Sequence, residues 1–213
     1  MIIIKHRVNS LKDLAETNHN NGIEVDIRYH NNDIICCHDA FNHQTTNPIK
    51  LTELLQKWQH SGPIILNLKT TGVENECAAI MHNYNIKSWF FLDMVMPTFI
   101  WHTRTKQKSK FNHNNIALRC SEYEPAAATI SYREQASWIW LDCFSGNPNI
   151  NSISILQQSG FKICVVSPEL QSYSKETIFQ FRSQLKNIKI DAVCTKHPKL
   201  WESKITRPDH NQV

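Results

Sequence analysis

Eight short apolar runs, each separated from the next by room for a crossover, constrain this chain more than any other feature. They are IIIK (2–5), GIEVDIR (22–28), PIILNLK (63–69), SWFFLD (88–93), NIALR (115–119), WIWLD (138–142), FKICVV (161–166) and IDAVC (190–194). A further run, DIICC (33–37), follows the second after the turn-forming residues NND and reads as its hairpin partner. The segments between carry a different period. In LTELLQKWQHSG, Leu51, Leu54, Leu55 and Trp58 fall at i, i+3, i+4 and i+7, with Gly62 placed to cap the carboxyl end. SEYEPAAATISYREQ puts Pro125 where a first helical turn tolerates it, INSISILQQSG ends on Gly160, and KETIFQFRSQLKN aligns Ile178, Phe181 and Leu185. Strands alternating with helices imply parallel strands joined by helical crossovers. Eight such units in 213 residues predict an α/β fold, a compact (β/α)8 TIM barrel with a small β-hairpin insertion after strand 2. A doubly wound open sheet is the rival, which periodicity does not separate from it. Residues 1–203 are expected to form a single domain. Residues 204–213 have no period and are expected to be mobile.

Composition removes several alternatives. No Gly-x-Gly-x-x-Gly or Walker-type phosphate loop occurs, and the chain holds five glycines. The formal net charge is +4, but lysines and arginines are scattered among acids, so no nucleic-acid surface is expected. Seven cysteines, with no Cys-x-x-Cys pair, read as buried free thiols in a reducing compartment. Cys36-Cys37-His38 lacks a second ligand pair at zinc-finger spacing. The apolar start MIII is too short for a signal peptide, and no run approaches the ~18 residues of a membrane span. A cytoplasmic location is the expectation. Oligomeric state is left open.

Polar residues gather where the strands end: His6 and Arg7, Glu24 and Asp26, His38 and Asp39, Asn67 and Lys69, Asp93, Arg119, Asp142, Thr195 and Lys196. In a barrel, strand carboxyl ends ring one mouth, where active sites form. Residues i and i+2 share a strand face, so Glu24 and Asp26 lie side by side, as do Asn67 and Lys69. Two adjacent carboxylates repel unless a cation separates them or one is protonated. Either a hard divalent cation answers this, or a structural pairing with Arg28 or Lys69. His6 and His38 each end a strand beside another polar group, and an unperturbed imidazole, with its pKa near neutrality, suits an acid–base pair. Arg119, Glu122 and Glu124 follow a strand directly. The acids either favour the start of the next helix or, with Arg119, reach substrate.

The ordered set His6-Arg7, Glu24-x-Asp26, His38-Asp39 and Lys69, with DAVCTKHP (191–198) near the end, resembles the glycerophosphodiester phosphodiesterases. That resemblance implies a (β/α)8 barrel that hydrolyses or cyclises a small phosphodiester. It implies His6 and His38 as catalytic residues, and Arg7 and Lys69 as phosphate-binding; apart from the resemblance, the place of Arg119 and Glu122 after a strand makes them candidate contacts to the substrate's alcohol or head group. It also implies one divalent cation, Mg2+ or Ca2+, on Glu24, Asp26 and Asn67. The chain departs from the family pattern at three places. Val8 replaces a usual Gly, Asn67 replaces the carboxylate that serves as third metal ligand, and Lys196 follows Thr195 where an Asp is usual. Losing one charge weakens divalent binding. A metal-independent cyclising phosphodiesterase, or a non-catalytic barrel that binds a phosphorylated glycan or lipid head group, are the alternatives.

Overall fold

A computed structural model describes residues 1–40, 48–105 and 108–202. The expected tail at 204–213 lies outside the described residues.

The predicted strands all form: β1 (Ile2–Lys5), β2 (Gly22–His30), β3 (Asp33–Cys36), β4 (Ile64–Leu68), β5 (Trp89–Leu92), β6 (Ala117–Cys120), β7 (Trp138–Leu141), β8 (Lys162–Val166) and β9 (Ala192–Thr195). Their order is β5-β4-β2-β1-β9-β8-β7-β6, with every neighbouring pair parallel. A single bridge, Phe91 to Ile116, joins the two outer strands and brings the sheet to a nearly closed barrel. The open doubly wound sheet is thereby set aside. β3 pairs antiparallel with β2, from Ile27–Cys36 to His30–Asp33. Asn31 and Asn32 turn the hairpin at φ 49° and 63°, the left-handed pair that a two-residue turn demands and that Asn tolerates.

Helices occupy the crossovers: α1 (Leu11–Ala15), α2 (Leu51–Gln56), α3 (Glu74–Asn83), α4 (Met96–Arg104), α5 (Ala126–Ile130), α6 (Ile150–Gln158), α7 (Thr177–Gln184) and α8 (Pro198–Glu202). Gly160, at φ 87°, follows the carboxyl end of α6 as expected. Gly62 does not cap α2, which already ends at Gln56. A Cβ on Gly62 would stand 2.2 Å from the Gly22 nitrogen, so its use is a close crossing of two backbones. Pro125 sits just before α5 rather than inside its first turn.

Alternation along the strands sorts the core in two. Ile4, Ile65, Phe90, Leu92, Trp138, Trp140, Cys164 and Cys194 fill the barrel, with Phe90 stacked on Trp138 at 4.6 Å. Ile23, Val25, Ile27, Ile64, Leu66, Trp89 and Phe91 face outward into a larger cluster with the helices. Trp138 and Trp140 are therefore interior plugs, whereas Trp89 packs under the helices. All seven cysteines are free, and all but Cys37 are buried. Among the described residues, no helix is long and apolar enough to cross a membrane.

Candidate active site

The phase that sends Ile23, Val25 and Ile27 outward sends Glu24 and Asp26 inward, and both are fully buried. Glu24 Oε2 accepts the Arg7 backbone N–H at 2.7 Å, and Oε1 accepts the Asn67 amide at 2.8 Å. Arg7 holds φ 53°, a strained value for a side chain-bearing residue, which turns its N–H onto Glu24. Asp26 is clamped by Asn9: Nδ2 donates to Oδ2 at 2.8 Å, and Oδ1 accepts the Asp26 N–H at 2.9 Å. The second Asp26 oxygen, Oδ1, accepts no hydrogen bond, and the Lys69 ammonium stands 3.5 Å away. Burial first, then the neighbouring Asp26 charge, pushes Glu24 up to about 7.

His6 sits beside this pair, with Nε2 3.7 Å from Glu24 Oε2. Burial, then the charges of Arg7 and Lys196, push it down to about 3, so its ring is neutral at physiological pH. His38 arrives from the hairpin. The Cys37 N–H bonds the Asp26 carbonyl at 2.9 Å, and the Arg28 guanidinium donates to the His38 carbonyl at 2.9 and 3.2 Å. Arg28 also reaches the Lys69 carbonyl at 3.4 Å, which staples the ends of β3 and β4 together. Of the two cations that could pair with a β2 acid, Lys69 faces Asp26, and the Arg28 guanidinium goes to these carbonyls instead. His38 Nδ1 lies 2.8 Å from Asp39 Oδ1, while Nε2 faces the Arg7 guanidinium at 2.5 Å. That pairing puts the proton on Nδ1 and leaves a lone pair on Nε2.

Asp26 and Asn67 are register partners on β2 and β4. Asn67 Oδ1 accepts from Lys69 Nζ at 3.0 Å, and the same ammonium lies 3.7 Å from Asp93 Oδ2. Asp93, at φ 62°, in turn takes the Arg119 fork at 2.6 and 3.1 Å. Arg119 also bonds Asp142, whose other oxygen accepts from Gln171 at 2.5 Å. Burial, opposed by Arg119, pushes Asp142 up to about 6. With Arg7 Nε 4.0 Å from Asp26 Oδ2, a row of polar contacts and ion pairs crosses the mouth from His38 through Arg7, Asp26, Lys69, Asp93 and Arg119 to Asp142.

Of the residues singled out in the sequence, His6, Arg7, Glu24, Asp26, His38, Asn67 and Lys69 meet directly, and Arg119 joins through Asp93. Glu122 is turned elsewhere. Its carboxylate accepts the Phe144 and Ser145 N–H groups at 3.1 and 3.0 Å, fixing the loop after β7. Glu124 accepts from the Ser121 hydroxyl at 3.0 Å. Asn9, Gln171 and Glu169 escaped the sequence reading. Glu169 accepts from the Thr195 hydroxyl at 2.6 Å and the Lys196 N–H at 2.9 Å, anchoring the end of β9. Asn9 had a signal in its place three residues after His6, in the same strand-end loop. The other two carried none.

To a divalent cation the residues present would offer two charged donors, Glu24 and Asp26, rather than three. Two buried carboxylates share a face, and Asp26 Oδ1 is a buried anionic oxygen without a hydrogen bond. Asn67 contributes only a neutral oxygen, already shared with Lys69. Among the described residues, no three His, Cys, Asp or Glu side chains converge as a metal site.

Comparison with solved structures matches this architecture to two families of barrel enzymes. A glycerophosphodiester phosphodiesterase from Galdieria sulphuraria, so named in its description, superposes with a TM-score of 0.65 at 13% identity, covering 94% of this chain and 96% of that one. A glycerophosphoryl diester phosphodiesterase from Parabacteroides distasonis gives 0.61 at 14%, covering 94% and 85%. The chain shares its fold with the glycerophosphodiester phosphodiesterases. Tryptophan synthase from Pyrococcus furiosus also superposes, at 0.55 and 12% identity over 91% and 85%. One barrel hosting both chemistries leaves function to the site residues. No family model and no curated protein matches the chain.

Proposed function

We propose that this protein is a phosphodiester hydrolase of the glycerophosphodiester phosphodiesterase type. The observation that carries the reading is the meeting of His6, His38, Arg7 and Lys69 around Glu24 and Asp26 at the carboxyl ends of the strands. Arg7 and Lys69 bring positive charge to a diester and to the further charge that develops as its phosphorus is attacked. His6, kept neutral by burial, suits the proton acceptor and takes a proton from the attacking water. Oxygen bonds to phosphorus, and the P–O bond to one alcohol breaks. His38 in its doubly protonated form, with Nδ1–H held by Asp39 and Nε2–H turned from Arg7 to the substrate, donates the Nε2 proton to the departing alkoxide. His6 releases its proton to solvent, and His38 takes one up again before the next turnover. The products are a phosphomonoester and an alcohol. Glu24, Asp26 and Asn67 would hold a divalent cation, Mg2+ or Ca2+, whose charge offsets that of the phosphate.

The test is turnover of a panel of glycerophosphodiesters, followed by phosphorus NMR, with Mg2+, with Ca2+ and with EDTA. Release of a monoester supports the reading, and no turnover in any condition overturns it. The hydrogen bonds of Asn67 to Glu24 and Lys69 favour a second version, in which Lys69 supplies the charge and an internal hydroxyl attacks to give a cyclic phosphate. A cyclic product unaffected by EDTA would select that version.

Asn67→Asp adds the missing charge at nearly constant volume. Divalent affinity should rise ~10-fold, because ligand charge count sets it. Calorimetric titration with Mg2+ and Ca2+ reads this without turnover. Unchanged affinity would remove Asn67 from the cation site.

A further inference from the structure

The barrel has a seam between β5 and β6, where among the described residues a single backbone bridge, from Phe91 to Ile116 just before β6, joins the two sides. Beyond that bridge a cavity of about 450 Å3 opens between the start of α4 and the short helix α5. Its apolar walls are Met94, Met96, Leu118, Pro125 and Ala128, and Glu124, Thr129 and Tyr132 add a carboxylate and two hydroxyls. Tyr132 is held in place edge-on against the buried ring of Phe99 at 5.4 Å. Met94, Met96, Leu118, Pro125 and Ala128 offer no strong hydrogen-bonding group. Met96 and its neighbour Val95 are 48% and 43% exposed, so the rim shows unusual apolar surface to water. At the inner end stand Asp93 and Arg119. Asp93 is the residue that lies 3.7 Å from Lys69, so the cavity runs straight into the polar mouth.

We propose that this cavity binds an alkyl or acyl chain carried by one of the two ester alcohols, making the substrate class a chain-bearing phosphodiester. Three features select a chain. The five apolar walls gain from burying methylenes. Methionine walls adapt to a flexible aliphatic ligand. Continuity with Lys69 and Arg119 places the phosphate of such a molecule in the mouth while its tail lies in the seam. The proposal rests on the phosphodiesterase reading for the position of the phosphate.

Calorimetry on the full chain separates the two ideas. Dodecylphosphocholine below its micelle concentration should bind at least tenfold tighter than glycerophosphocholine. Ala128→Trp fills the cavity from an exposed helical position, and Met96→Asp places a charge on its exposed rim. Each should bring the two affinities within threefold of each other. Equal affinities in the unmodified protein, or a chain preference untouched by both variants, would overturn the proposal. Chain-dependent binding that both variants remove, with no diester cleaved, would keep the cavity assignment and reject the hydrolase reading. Cleavage of glycerophosphocholine with no chain preference would do the reverse. Binding of a protein segment in the groove, with no affinity for dodecylphosphocholine, would also overturn it.

Discussion

His38→Ala and His6→Ala should each lower diester turnover by ~10²–10⁴-fold, the usual range for losing a positioned acid or base. The two rings reach the mouth differently, so the variants test different things. His38 has a side chain 38% exposed, and its position is fixed through its backbone carbonyl by Arg28. Removing its ring leaves that staple intact, so the melting temperature should hold while kcat falls. His6 is more enclosed, with a side chain 13% exposed. Its alanine variant should be checked by circular dichroism before the rate is read. The double variant should lose less than the product of the two single losses, because both rings act on one displacement step. Full activity in both single variants would sink the assignment.

Lys69→Ala should lower turnover by ~10²–10³-fold and destabilise the fold by about 1–3 kcal/mol. The two losses have one cause. The Lys69 ammonium is the cation that faces Asp26 Oδ1, Asn67 Oδ1 and Asp93 Oδ2 together. Without it, a fully buried carboxylate keeps an oxygen with no partner, and the diester loses a nearby positive charge. Lys69→Arg should recover part of the stability and less of the rate, since a planar fork cannot occupy the same point between three oxygens. Chemical denaturation and steady-state kinetics on both variants read the two effects separately. A Lys69→Ala protein with native stability and turnover would show that Asp26 is neutralised by other means.

The strands were legible because each is a short apolar run and the spacing between runs fits a crossover. Helix ends were less so. Gly62 reads as a cap in sequence, yet it serves a contact with Gly22, forty residues away in the chain, that no local pattern announces. The acids of β2 were legible for the same reason as the strands. A two-residue period that puts Ile23, Val25 and Ile27 on one face must put Glu24 and Asp26 on the other. Asn9 and Gln171 were not. Their partners, Asp26 and Asp142, lie on other strands, and a lone polar residue in a loop is ordinary. Glu122 misled in the opposite direction. It stands after a strand end, as a mouth residue should, but two amides of the next loop hold its carboxylate.

The sequence by itself determined the eightfold alternation, the hairpin after the second strand, and which residues of each strand share a face. These follow from the periods of helix and strand, and both are local. Only the tertiary structure decided what those faces meet. It sent Trp138 and Trp140 into the barrel, placed Lys69 between three oxygens, gave Arg28 to two carbonyls, and left the seam at β5 and β6 open. Each depends on the register of parallel neighbours and on barrel closure, and that information is spread over residues far apart in the chain.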